Sequence, residues 1–151
     1  MSEAQLRRRA FRLEYFTIAW DVIEGAIAIT AGIVAGSIAL LGFGIDSSIE
    51  VFAASVVIWQ LRAPASNSRR KLALRLIALT FFLLAAYVSV ESVRDLVAHE
   101  EPDASLVGIV LNAVALPVMA VVAHLKRTTG EALQNDVLIA DAGETRLSNY
   151  L

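Results

Sequence analysis

The chain has 151 residues, 57% of them hydrophobic and 19% charged, with a mean hydropathy of +0.63, against roughly 45–50% apolar and about 25% charged in soluble domains. A net charge of −2 excludes a nucleic-acid binder of the basic-patch type, the absence of Cys excludes a disulfide framework and a thiolate metal site, and two His are too few for an all-imidazole zinc site in one chain. The apolar residues fall in long blocks parted by short charged segments, so the fold class expected is all-α: a polytopic transmembrane helix bundle with four full spans and the start of a fifth.

Residues 1–13 are polar and basic and read as a cytoplasmic N-terminal segment ahead of a transmembrane domain over 14–151. Arg7, Arg8, Arg9 and Arg12 resemble the basic region of a signal peptide. The apolar stretch behind them is too long for one and contains Asp21 and Glu24, so a retained first helix is expected. That helix spans about 14–36. Tyr15, Phe16 and Trp20 stand near its start, where aromatic side chains meet head groups. Asp21 and Glu24 share one face and are read either as an access path or as groups paired with a neighbour. Gly25 and Gly32, seven apart, suit close helix packing.

A charge-free turn at Gly36-Ser37 leads to helix two, about 38–61, which carries Asp46 and Glu50. Four residues is about one turn, so the two carboxylates share a face. Each costs a few kcal/mol or more inside a membrane, and a cation is the simplest reason to keep them there. Pro64 and a Ser/Asn cluster break the chain, and Arg62, Arg69, Arg70, Lys71 and Arg75 make a positive loop. Helix three is expected over about 73–97, with an uncharged centre from Leu76 to Val90; near its end Arg94 can pair with Glu91 at i,i+3, a pairing of the structural kind. An acidic turn over 98–104 holds His99 and reads as a solvated loop rather than a cation site.

Helix four is expected over about 105–124, with Pro117 as a kink and Asn112 as a buried polar candidate. Lys126 and Arg127 then read as a second basic loop. The last segment, 137–151, begins like a fifth helix; at 1.5 Å per residue it covers roughly 22 Å, short of the ~30 Å hydrocarbon core. It reads as part of a longer design. Apart from Arg94 and Arg146, every Lys and Arg falls in the N-terminal segment or in the two basic loops. The positive-inside rule then places the N-terminus in the cytoplasm, in a plasma (inner) membrane.

Depth along the helices brings carboxylates together. Glu50 lies about 16 Å and Asp46 about 22 Å from the Leu61 end of helix two, while Glu144 and Ser148 lie about 10 and 16 Å into helix five. The two faces can meet near mid-membrane. The candidate metal-ligating set is therefore Asp46, Glu50, Glu144 and Ser148, with Asp141 and Glu24 as secondary candidates. Asp141 is equally suited to a helix start, where acids are favoured.

The run Gly36-Ser37-Ile-Ala-Leu-Leu41 followed by Asp46-Ser-Ser-Ile-Glu50 resembles the second helix of cation diffusion facilitators. Glu91-Ser-Val-Arg94-Asp-Leu is similar to that family's third-helix ending, and Ala140-Asp141-Ala-Gly-Glu144 to the start of its fifth helix. The resemblance covers about residues 10–151 of what looks like a C-terminally truncated member. It departs at Phe43, where Asp is common, at Glu144, where His is usual, and at Ser148, where Asp is usual. The resemblance implies efflux of divalent cations through a site between helices two and five, and a homodimer.

The residue chemistry is consistent with that implication. A carboxylate oxygen that binds a cation gives up its proton, which couples cation to proton as an antiporter requires. Oxygen-only ligands suit Mn²⁺ or Mg²⁺, and Zn- or Fe-type cations are also accommodated by carboxylates. The cation is cargo, and no resident cofactor is expected. The partners expected are the lipid bilayer, a divalent cation, the proton and a second copy of the chain. No nucleophile–base set, phosphate loop or metalloprotease motif is present, so no enzymatic activity is expected. The alternative is a non-transporting membrane scaffold or partner subunit whose carboxylates are satisfied internally.

Overall fold

A computed structural model of the chain describes residues 1–64, 66–98 and 106–149. Five helices follow one another: α1 Glu3–Ala35, α2 Ile38–Leu61, α3 Asn67–Ala98, α4 Leu106–Leu133 and α5 Asp136–Ser148. No strand occurs among the described residues, and the fold is an all-α bundle. The first four helices are long and apolar enough to cross a membrane. Their large apolar side chains also point outward, as a lipid solvent allows: Ile33, Val34, Phe82, Leu96 and Leu106 are each more than two-thirds exposed.

The turns explain the alternation. Gly36 ends α1 in the left-handed region at φ 64°, and its N–H returns to the Gly32 carbonyl. Ser37 then caps α2, accepting from the Leu40 N–H. This is the tight, charge-free connection expected from the sequence. At the other end of the bundle Asn135 caps α5, accepting from the N–H groups of Val137 and Leu138. Successive helices therefore run up and down, and the N-terminus, the α2–α3 connection and the α4–α5 turn share one end, called here the basic end.

The α2 helix lies at the centre. Half of its most apolar 18-residue stretch is buried, against 22% in α3 and in α4. It packs against α1, α3 and α5, while α5 fits among α2, α3 and α4. An apolar core at the basic end joins Ala10, Val57, Leu61, Ile77, Val137 and Leu138. Its rim is polar: Arg70 pairs with Asp136, Asn135 donates to Gln60 at 3.0 Å, and the Arg69 guanidinium lies 3.9 Å from the centre of the Trp59 ring.

Three boundaries differ from expectation. Residues 3–13 are not a separate segment but the first turns of α1, opened by a capping box between Ser2 and Gln5. They are tied in by Arg7, which donates to the Leu61 carbonyl, and Ala10 is fully buried. The α3 helix starts at Asn67 rather than near 73, because the Ser66 hydroxyl accepts from the Arg69 N–H. Most consequentially, α4 runs on to Leu133, so Lys126 and Arg127 are helical and not a loop. Arg127 pairs with Glu131 at i,i+4 on the exposed face, while Lys126 turns inward. His99 and the acidic turn around it, and the last two residues of helix five as expected, lie outside the described residues.

Candidate functional site

Glycines bring α1 and α2 almost into backbone contact. A Cβ on Gly44 would stand 2.4 Å from Ile29 Cγ1 and 3.3 Å from the Gly25 carbonyl, and one on Gly32 would stand 3.0 Å from the Leu41 N. The expected packing role of Gly25 and Gly32 is thus realised. The approach sets Asp21 and Glu24 of α1 beside Asp46 and Glu50 of α2, with all four carboxylates facing one cavity. Asp21, Glu24 and Glu50 are buried, and Asp46 is half-buried.

On the far side α5 ends against this group. The Ser148 hydroxyl donates to Asp46 Oδ2 and also lies beside Glu50. The meeting of the α2 and α5 faces expected from helix rise occurs, but about a turn deeper, with Ser148 at Asp46. The cause is the α4–α5 turn: Asn135 is held to Gln60, so α5 starts level with the last turn of α2 rather than beyond it. Glu144, one turn before Ser148, is 1% exposed and lies beside Thr80 of α3. Several carboxyl oxygens here have no hydrogen-bond partner among the described residues: Asp21 Oδ2, Glu24 Oε1, Asp46 Oδ1, Glu50 Oε2 and both oxygens of Glu144.

The cavity measures about 1140 Å³. Its walls are α1 and α2 on one side and α3 and α4 on the other, with the tip of α5 as its floor. It reaches the end of the bundle opposite the basic end, where Ser37, Glu91 and Gly108 line it. Glu91 forms no ion pair with Arg94 among the described residues, contrary to the pairing expected from their spacing; it stands at the cavity mouth. Asn112 lines the cavity as well. Among the described residues, no three His, Asp or Glu side chains are arranged to hold one metal ion directly. The carboxylates line a space rather than converge on a point.

Asp141 belongs to a different group. Its Oδ2 lies 2.7 Å from Lys126 Nζ, which is also 3.0 Å from Glu14 Oε2. The Lys126 and Glu14 side chains are fully buried and that of Asp141 is 2% exposed. This triad joins α1, α4 and α5 and commits Asp141 to a lysine. Sequence reasoning missed it because a lysine after an apolar block looks like a loop residue. A signal was present: Ala115, Met119, Val122, Lys126 and Thr129 follow helical spacing and are all buried. Lys126 falls on the inward stripe and its neighbour Arg127 does not.

A comparison of the chain with protein-family models, with curated proteins and with solved structures finds no match.

Proposed function

We propose that the chain binds divalent cations in the carboxylate cavity and moves them across a membrane in exchange for protons. The observation that supports this reading best is the junction of Ser148 with Asp46, one turn from Glu50, at the floor of a cavity whose buried carboxyl oxygens lack partners. An unpartnered buried carboxylate is costly unless something occupies it. A proton or a cation satisfies the same lone pairs, and binding one releases the other. In the present arrangement a cation entering the cavity is held by Asp46, Glu50, Glu24 and Ser148 through its water shell, with Glu144 one turn below. Oxygen donors favour Mn²⁺ or Mg²⁺ and accommodate Zn²⁺ and Fe²⁺.

The resemblance of the Gly36–Leu41 and Asp46–Glu50 segments to cation diffusion facilitators points in the same direction, and with it to efflux and a homodimer. The concentration of Lys and Arg at the basic end supports a cytoplasmic N-terminus in a plasma membrane. The test is cation flux into vesicles carrying the chain, driven by a pH gradient. Asp46→Ala is expected to abolish it, and undiminished exchange would sink the reading.

A second reading has its own observation. Lys126 donates to Asp141 and forms an ion pair with Glu14, and Ser148 serves Asp46, as a non-transporting scaffold or partner subunit would arrange them. That reading expects no heat on titration with Mn²⁺ or Zn²⁺ and full tolerance of Asp46→Asn.

A further inference from the structure

The cation reading leaves Lys126, Glu14 and Asp141 without a task. None of the three lines the cavity. By helix rise, Lys126 lies about 10 Å from the Leu133 end of α4 and Asp141 about 8 Å from the start of α5, against about 16 Å for Glu50 from the end of α2. The triad therefore sits below the cavity floor, between Glu50 and the basic end. Beyond it lie Thr129, buried to 1% exposure, and the apolar core of Val57, Leu61, Val137 and Leu138. The cavity lining ends at Ser148, Asn149 and Glu50, and between it and the basic end stand a buried, fixed ammonium group and the core beyond it.

Charge makes that position consequential. A cation that leaves the carboxylates toward the basic end meets a desolvated ammonium already balanced by two carboxylates, so the group bars passage by its packing and by the cost of parting a buried pair. The ammonium is held from two sides, by a helix that borders the cavity (α1) and by the helix that forms its floor (α5). We propose that the Lys126–Glu14–Asp141 triad is the closed barrier of the pathway, and that Lys126 must release one carboxylate before a cation passes beyond Glu50. The proposal rests on the cation reading above, and it makes Lys126 a positioning residue rather than a ligand.

The chain has no Cys, so single cysteines can be introduced into an otherwise unreactive protein. Ser92 lines the cavity mouth and Thr129 lies one turn beyond Lys126 toward the basic end. Full-length Ser92→Cys and Thr129→Cys chains, reconstituted in vesicles, are exposed to a membrane-impermeant thiol reagent from each side. Ser92→Cys is expected to react from the side of the α1–α2 turn, and Thr129→Cys from neither. Adding Lys126→Gln is expected to raise labelling of Thr129→Cys on the order of tenfold, by populating an open state that is otherwise minor. Glu14→Gln, which leaves Lys126 on Asp141, is expected to raise it less. Reaction of Thr129→Cys in the unsubstituted background overturns the proposal, as does continued protection in a folded Lys126→Gln chain. If Lys126→Gln does not fold, continued protection in a folded Glu14→Gln chain overturns it. The readout is reagent access and not metal flux, so a chain that moves no cation can still show the barrier. Unchanged labelling beside intact flux removes this inference alone.

Discussion

Two groups of buried carboxylates lie about one to two helical turns apart in this bundle, and they are solved differently. Around the cavity, Asp21, Glu24, Asp46 and Glu50 stand together with oxygens unpartnered among the described residues. Below it, Glu14 and Asp141 share one lysine and do not line the cavity, although only Asp141 accepts a hydrogen bond from it and the Glu14 oxygens are held by charge alone. The chemistry of the side chains is the same in both places. What differs is whether a lysine of the chain itself stands against them or an open cavity does. A buried charge with a tethered partner is a structural commitment, because removing either member strands the other. A buried carboxylate facing a cavity keeps its options open, since proton and cation compete for it.

The largest effect expected follows from that contrast. Lys126→Met should destabilise the folded chain by about 3–5 kcal/mol, the cost of leaving buried partners uncompensated. Thermal unfolding in detergent measures it. Asp46→Asn should change unfolding little, because the amide oxygen still accepts from Ser148. Equal losses in the two variants would erase the distinction between the groups. Replacing all three triad members, as Glu14→Leu with Lys126→Met and Asp141→Leu, should recover most of the stability, since apolar groups of similar volume often substitute for a buried ion pair without loss.

A smaller effect is expected at the contact that aligns the cavity's carboxylates. In Gly44→Val the new side chain collides with Ile29 and crowds the Gly25 carbonyl, and overpacking of this kind costs about 1–3 kcal/mol. Parting α1 from α2 moves Asp21 and Glu24 away from Asp46 and Glu50. Cation affinity, read by calorimetry with Mn²⁺, should fall further than stability does. A loss of stability with unchanged affinity would mean that the α1 carboxylates take no part in binding.

How much of this was legible beforehand depends on what each signal measures. Hydropathy and turn chemistry carry the architecture: Gly36, Ser37 and Pro64 punctuate the chain where its helices change direction. Helix rise, a property of the backbone alone, places the α5 face opposite Asp46 and Glu50. It misses by about a turn only because a side-chain bond, Asn135 to Gln60, sets the starting height of α5. The triad is harder to read because it is a tertiary fact. Glu14, Lys126 and Asp141 come from three helices, and composition treats a charge as a sign of water. The buried stripe through Met119, Val122, Lys126 and Thr129 overrides that rule. The partial match of Ala140–Glu144 to a fifth-helix pattern likewise favoured Asp141 as a ligand. The lysine that holds it lies on another helix and is invisible to local comparison.

The smallest effect belongs to the neighbour of Lys126, and it is the control for the comparison. Arg127 lies on the same helix, one residue on, and pairs with Glu131 at 2.9 Å, yet both side chains are more than half exposed. Water competes for each partner, and ordering two long side chains offsets much of the attraction. Arg127→Ala should therefore cost no more than about 0.3–0.5 kcal/mol, roughly a tenth of the effect at Lys126. Its effect should also fade as salt rises, whereas that of Lys126→Met should not, since a desolvated pair is poorly reached by ions. If raised salt diminished both losses in parallel, the triad would be hydrated, and the barrier beneath the cavity would have to be sought in the apolar core instead.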